Sequence, residues 1–356
     1  MRLRTLLISL VAALALVPSA AAGQKLLLGV DDDQARWMNP AGALTPLYRE
    51  VGVSSVRVTL QWQPGQTQLS KTNRTELDRA GVATWGLRLV LAVDGPADNP
   101  PSDAAPRDAY CGFVGNVLRR YQTIGDVVIW TEPNSATFWR PQANGAASYE
   151  ALLARCWDVA HSVRPTVNVI AASAPHQNPG AWFAGIGAAL KASGRTQPIL
   201  DTFGHNAYPE TSGEAPDAKH SGASLDQGDY DRLVATLRSS FAGTSQPAPG
   251  QGNTSIWYME DGFQTRLTTA RHLYTGSETD KYAITEDKQA DAVGAAIRLA
   301  YCQPFVGAWF NFELRDETSL AGWQSGLLRA DWSAKPSFYS FRDAVVDIAK
   351  RRVVCK

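Results

Sequence analysis

The sequence lacks the segments that mark a bound phosphate, a catalytic zinc or a redox thiol pair. It contains no G-x-G-x-x-G and no Walker segment, which removes the usual phosphate cradles. H-E-x-x-H, G-x-S-x-G and C-x-x-C are also missing, so zincin, serine-hydrolase and thioredoxin-like chemistry are not expected. An excess of charge of one sign is absent too: Lys plus Arg and Asp plus Glu number 34 each. The basic residues are scattered, so nucleic acid is not an expected partner. No solenoid-period repeat and no low-complexity tract interrupts the chain.

What is present suits one large globular unit. Of the 356 residues, 44% are hydrophobic and 19% charged, which leaves ample apolar surface for a single core. Arg2 and Arg4 precede an apolar run from Leu6 to Val17, and Ala20-Ala21-Ala22 supplies an A-x-A cleavage signal before Gly23. Residues 1–22 are therefore expected to be a removed signal peptide. Residues 23–356 are then a secreted domain, extracellular or periplasmic, with no second apolar stretch to hold it in a membrane. Four cysteines remain, an even number for an oxidising compartment, and three pairings are open to them. Cys111 and Cys156 fall in consecutive predicted helices, while Cys302 and Cys355 fall in or just after the last two. Pairwise stapling of neighbouring helices is the expectation.

From residue 25 onward, short β-branched runs alternate with helical patterns, the mark of parallel βαβ units. Eight runs are predicted as strands: 25–30, 54–60, 87–93, 126–130, 166–171, 199–203, 254–259 and 304–310. Helices are predicted best at 106–121, 147–163, 229–241, 286–301 and 336–350, and weakly at 77–84. Eight alternations predict one closed (β/α)8 barrel of the TIM type. Two long irregular stretches, 209–228 and 262–285, follow the sixth and seventh strands. Both belong on the C-terminal face, where barrel enzymes build their clefts.

Two carboxylates stand out on that face. Strand four ends in Ile129-Trp130-Thr131-Glu132-Pro133-Asn134, and a period of two predicts Val128, Trp130 and Glu132 on the inward side. Strand seven ends in Ile256-Trp257-Tyr258-Met259-Glu260-Asp261-Gly262, with Ile256, Tyr258 and Glu260 predicted inward and Asp261 outward. An ionisable group at the end of an apolar row is costly unless it is partnered or used. Cleavage of a glycoside needs two such groups, a proton donor and a carboxylate that attacks the anomeric carbon.

The segment from Trp130 to Asn134 resembles the W-N-E-P motif of clan A glycoside hydrolases, whose acid/base lies on strand four and nucleophile on strand seven. Other matches follow in order: Arg57 and Trp62 on and after strand two, His205 to Tyr208 after strand six, Glu260 to Gly262, and Trp309 on strand eight. Gly326-Leu327-Leu328 and Lys335-Pro336 also resemble the ends of such enzymes, notably families 5 and 39. The resemblance implies Glu132 as acid/base and Glu260 as nucleophile. Apolar neighbours such as Trp130 would keep the first protonated, while Arg57 and the Tyr208 hydroxyl keep the second ionised. It implies a carbohydrate-facing set of Arg57, Trp62, Thr131, Asn134, His205, Tyr208 and Trp309, with His205 at the sugar and Trp309 as an aromatic platform. Thr131 departs from the family's usual Asn, whose amide contacts the 2-hydroxyl of the sugar.

The reading is a retaining hydrolase of β-glycosidic bonds, with a carbohydrate substrate and neither metal nor organic cofactor. The Asp31-Asp32-Asp33 run is read as a polar strand end rather than a metal site. Two alternatives stay open: a carbohydrate-binding barrel with weakened catalysis, motivated by Thr131, and a transglycosylase. Sugar identity, endo or exo mode and oligomeric state are not readable from the chain.

Overall fold

A computed structural model describes residues 26–268 and 270–355, so the expected signal peptide lies outside the described residues. Eight strands alternate with eight α-helices. They are β1 Leu27–Asp31, α1 Thr45–Val51, β2 Ser55–Gln61, α2 Lys71–Ala83, β3 Arg88–Asp94, α3 Ala104–Arg120, β4 Asp126–Ile129 and α4 Gly145–Val163. The second half comprises β5 Asn168–Ala171, α5 Pro179–Ser193, β6 Thr202–Asn206, α6 Tyr230–Ser240, β7 Ser255–Asp261, α7 Glu286–Cys302, β8 Val306–Phe312 and α8 Pro336–Ala349. Neighbouring strands pair in parallel throughout, and β8 returns to β1 to close a (β/α)8 barrel. No described helix is long and apolar enough to cross a membrane.

All eight predicted strands exist, with ends shifted by at most three residues. The helices α1 and α5 carried too little helical signal to predict. In α5 three glycines lower intrinsic propensity, and packing makes up the difference by burying Trp182, Phe183, Ile186 and Leu190. Gly187 is needed there, because a Cβ would lie 1.9 Å from the Ser240 carbonyl oxygen of α6.

Two apolar layers hold the barrel. Inside it, Val90, Ala92, Val128, Ile170, Trp257, Met259, Ala308 and Phe310 form a plug. Outside it, a larger cluster fills the space between strands and helices. A packed interior leaves no pore, so ligands are confined to the rim built by the loops after each strand. Two disulfides brace the helical ring. Cys111–Cys156 joins α3 to α4, and Cys302–Cys355 ties the end of α7 to the C-terminal tail, the pairing expected from helix order.

Candidate active site

Glu132 and Glu260 reach one cavity by two departures from regular strand geometry. The β4 ladder ends at Ile129, and Trp130 and Glu132 adopt left-handed backbone with φ of 66° and 37°. For non-glycine residues such conformations cost of order 1–3 kcal/mol and concentrate at functional sites. The first turn throws Trp130 outward, so the predicted parity fails there. Its ring joins Tyr110 and Trp139 in the outer layer, and its indole donates to the Phe138 carbonyl. The second turn brings Glu132 back to the cavity wall.

On β7 the predicted parity is inverted. Trp257 and Met259 point inward, while Ile256 and Tyr258 belong to the outer layer. Glu260 still faces the cavity because β7 carries an extra residue. Its register slips against β6 between His205 and Asn206, and against β8 between Tyr258 and Asp261. A bulge of this kind re-aims the side chain that follows it.

Glu260 is buried and held from two sides. Arg57 Nη1 donates to Oε1 at 2.7 Å and the Tyr208 hydroxyl donates to Oε2 at 3.0 Å. Arg57 also bonds Asp31, so a chain of alternating charge runs from β1 through β2 to β7. Burial and the charges of Glu260 and Glu132 hold the Tyr208 phenol well above its ordinary value, which keeps it a donor. Glu132 behaves oppositely. Burial, reinforced by the charge of Glu260, pushes its carboxyl up to about 7, against the pull of a hydrogen bond from Asn206. That bond runs from Asn206 Nδ2 to Glu132 Oε1 at 2.7 Å.

The cavity has a volume of about 950 Å³ and opens beside a second of about 320 Å³. Glu132, Tyr208 and Trp323 line both, whereas Glu260 lines only the larger. Parts of both long loops wall the smaller chamber, through Pro209 to Ser212 and through Gly262, Asp280 and Tyr282. The larger draws on Asp31, Asp32 and Asp33, and on the loop between β8 and α8.

Of the carbohydrate-facing set, Arg57, Thr131 and Tyr208 line the cavity with the two glutamates. The other four lie elsewhere. Trp62 is fully buried, edge-on to Tyr110, with its indole on the Gln66 carbonyl. Asn134 bonds the backbone of Ala174 and Gln177, fastening the loop after β4 to that after β5. His205 is buried with both ring nitrogens engaged. Nε2 faces the Leu225 carbonyl at 2.6 Å, which requires a donor, and Nδ1 accepts from Ser173 at 2.7 Å. Burial pushes its pKa down to about 4, so it is a neutral structural histidine. Trp309 is fully buried in the outer layer beside Phe341 of α8, with its indole donating to Asp261. It is no platform, because its position on β8 faces outward while Phe310 faces in.

An exposed aromatic shared by both chambers is Trp323, on the loop after β8. It stacks on Tyr208 with centroids 5.7 Å apart, and Phe312 meets it edge-on at 5.5 Å. Neither Trp323 nor Asn206 stood out in the sequence. Asn206 had one usable signal, its place between two residues of a recognised motif.

Among the described residues, one cluster has donors close enough for a metal ion: His220 with Asp226 and Asp229, and with Glu210 and Glu214. Apart from Glu210, its groups already pair with one another: His220 contacts Glu214, Asp226 and Asp229, and Arg232 bonds Asp229.

No protein-family model matches the chain, and no curated protein matches it. Solved structures do. A family 39 glycoside hydrolase from the gut symbiont Bacteroides cellulosilyticus WH2 superposes with a TM-score of 0.65 at 16% identity, over 92% of this chain and 65% of that one. A glucosidase from Croceicoccus marinus gives 0.64 at 14% identity, over 92% and 67%. The exo-β-1,4-mannosidase Op5Man5 from Opitutaceae bacterium strain TAV5 gives 0.59 at 14%, over 92% and 60%. The chain thus spans roughly two thirds of these proteins, and at such identities the likeness is one of fold.

Proposed function

We propose that the protein is a secreted retaining glycoside hydrolase, with Glu260 as nucleophile and Glu132 as acid then base. One observation carries the reading: two glutamates from opposite sides of the barrel line one cavity, one pushed toward its protonated form and the other held by an arginine and a tyrosine. Environments that drive two carboxyls apart assign acid and base roles. The glycosidase neighbours raise the prior for this chemistry without fixing it.

In the first step a Glu260 oxygen attacks the anomeric carbon while the bond to the leaving oxygen breaks. Glu132 gives that oxygen its proton, and the leaving group occupies the smaller chamber that Glu132 borders. The resulting ester removes the negative charge of Glu260, which is one of the two forces raising the Glu132 pKa. Glu132 is thereby made the base that the second step requires, and the Asn206 amide is in place to hold its carboxylate. Glu132 then takes a proton from water, the water oxygen bonds to the anomeric carbon, and Glu260 is released. Configuration is retained after two inversions, which requires carboxyl groups about 5–5.5 Å apart. The two disulfides suit an oxidising compartment, in keeping with export.

The test is a screen of chromogenic β-glycosides and polysaccharides, with Glu260→Gln as control and the anomer first released followed by NMR. Turnover with retention, lost in the variant, supports the reading. An inverted product, or full activity in the variant, overturns it.

A further inference from the structure

The larger chamber contains acceptors and a hydroxyl that the protein itself leaves unused. Asp94, which ends β3, is 7% exposed, and its Oδ1 has no hydrogen-bond partner among the described residues. Thr131, 8% exposed, likewise has an unpartnered hydroxyl, and Glu313 after β8 has an unpartnered Oε1. All three line the cavity that contains Glu132 and Glu260. A buried polar atom without a partner costs roughly 1–3 kcal/mol, so three around one cavity call for a ligand that completes them.

The charge of the chamber narrows that ligand. Beyond the two catalytic glutamates, seven carboxyl side chains line it, against the guanidinium groups of Arg57 and Arg315. Arg57 is engaged by Asp31 and Glu260. Arg315 stacks on Trp332 at 4.5 Å and bonds the Ala330 carbonyl. One unpartnered Nε–H remains on each, enough to bond a sugar oxygen, while the carboxyl groups of the chamber outnumber its two guanidinium groups. A second anion brought into this field meets like charge in a poorly screened space.

Resting on the proposed glycosidase function, we infer that Asp94, Thr131 and Glu313 are specificity residues that bond the hydroxyls of an uncharged glycone, and that the chamber rejects uronic acids. Asp94 is the principal acceptor: burial raises its carboxyl to about 7, opposed by the amides of Gly95 and Thr131 and by Arg57, and a hydroxyl donor would stabilise its charged form. It also compensates for Thr131, whose side chain is shorter than the asparagine it resembles in position. Glucuronidases and galacturonidases share this fold, so the exclusion belongs to these residues and not to the barrel.

The experiment measures binding of matched pairs of methyl glycosides, each a neutral sugar and its uronate, to the Glu260→Gln protein, which cannot turn them over. Mildly alkaline buffer favours the charged form of Asp94, whose carboxyl burial raises to about 7, whereas burial holds Glu313 toward its protonated form. The neutral member is expected to bind at least tenfold more tightly than the uronate in the preferred pair. Asp94→Asn, which changes charge and hardly changes volume, is expected to narrow that ratio several-fold, and Glu313→Gln to weaken binding of the neutral member by removing a hydroxyl partner. Equal or tighter uronate binding overturns the inference, as does failure of both members of every pair to bind. The wild-type enzyme assayed on aryl glycosides of the same pairs separates the two claims. Hydrolysis without discrimination rejects the specificity alone, and discriminating binding without hydrolysis rejects the glycosidase function alone.

Discussion

Asn206 Nδ2 donates to Glu132 Oε1 across 2.7 Å, joining the end of β6 to the candidate acid. The bond favours the ionised form of Glu132, while burial and Glu260 favour the protonated one, and the balance lies at about 7. Activity needs the proton in the first step, so kcat/KM is expected to fall as pH rises through about 7. Asn206→Ala removes the one side-chain hydrogen bond to the carboxylate among the described residues and should move that limb to higher pH. A pH–rate profile of both proteins checks this; an unmoved limb would assign the ionisation elsewhere.

Trp323 and Trp309 should separate binding from stability. Trp323→Ala takes an exposed ring from both chambers and is expected to weaken substrate binding by about 1 kcal/mol, near fivefold in KM, with little change in melting temperature. Trp309→Phe leaves the buried Asp261 Oδ2 without its indole donor, while the Gly262 amide still holds Oδ1. A loss of about 1–3 kcal/mol in stability with KM unchanged is expected, read by urea unfolding beside steady-state kinetics.

Asp261 also gives stability a pH dependence. Burial raises its carboxyl from 3.8 to about 8, and Asp94 and Asp226 rise to about 7. Between the ordinary value and the raised one, the folded protein holds protons that the unfolded chain has released. Stability from these groups is therefore full below about pH 4 and lost as pH rises through 7 to 8. Thermal unfolding is expected at lower temperature at pH 8.5 than at pH 5.5, and Asp261→Asn should reduce the difference.

The disulfide between Cys111 and Cys156 closes a loop of 45 residues between two adjacent helices. Replacing both cysteines with serine is expected to cost roughly 2–4 kcal/mol in unfolding free energy while leaving kcat/KM close to the parent. Loss of activity without loss of stability would contradict a purely structural role.

The barrel was legible because strand and helix periodicities are local and alternate eight times. Both glutamates, Arg57 and Tyr208 were legible as ordered motifs, yet the parity argument that aimed the glutamates inward does not describe how they get there. Left-handed turns at Trp130 and Glu132 and the bulge before Glu260 bring them in, and neither leaves a mark on hydrophobic alternation. The same blindness misplaced Trp62, His205 and Trp309, which carry the right residue types on the outer side of the sheet. Trp323 was hidden for another reason: its place depends on the course of a long loop, which no local pattern fixes.

The most direct measurement is to trap the intermediate. A 2-fluoro aryl glycoside with a good leaving group slows breakdown of the ester more than its formation, so the labelled enzyme can be digested and mapped by mass spectrometry. The label is predicted on the peptide bearing Glu260, with labelling abolished in Glu260→Gln. A label on Glu132 or any other carboxylate, or turnover of an active substrate with inversion, would contradict the two-glutamate mechanism.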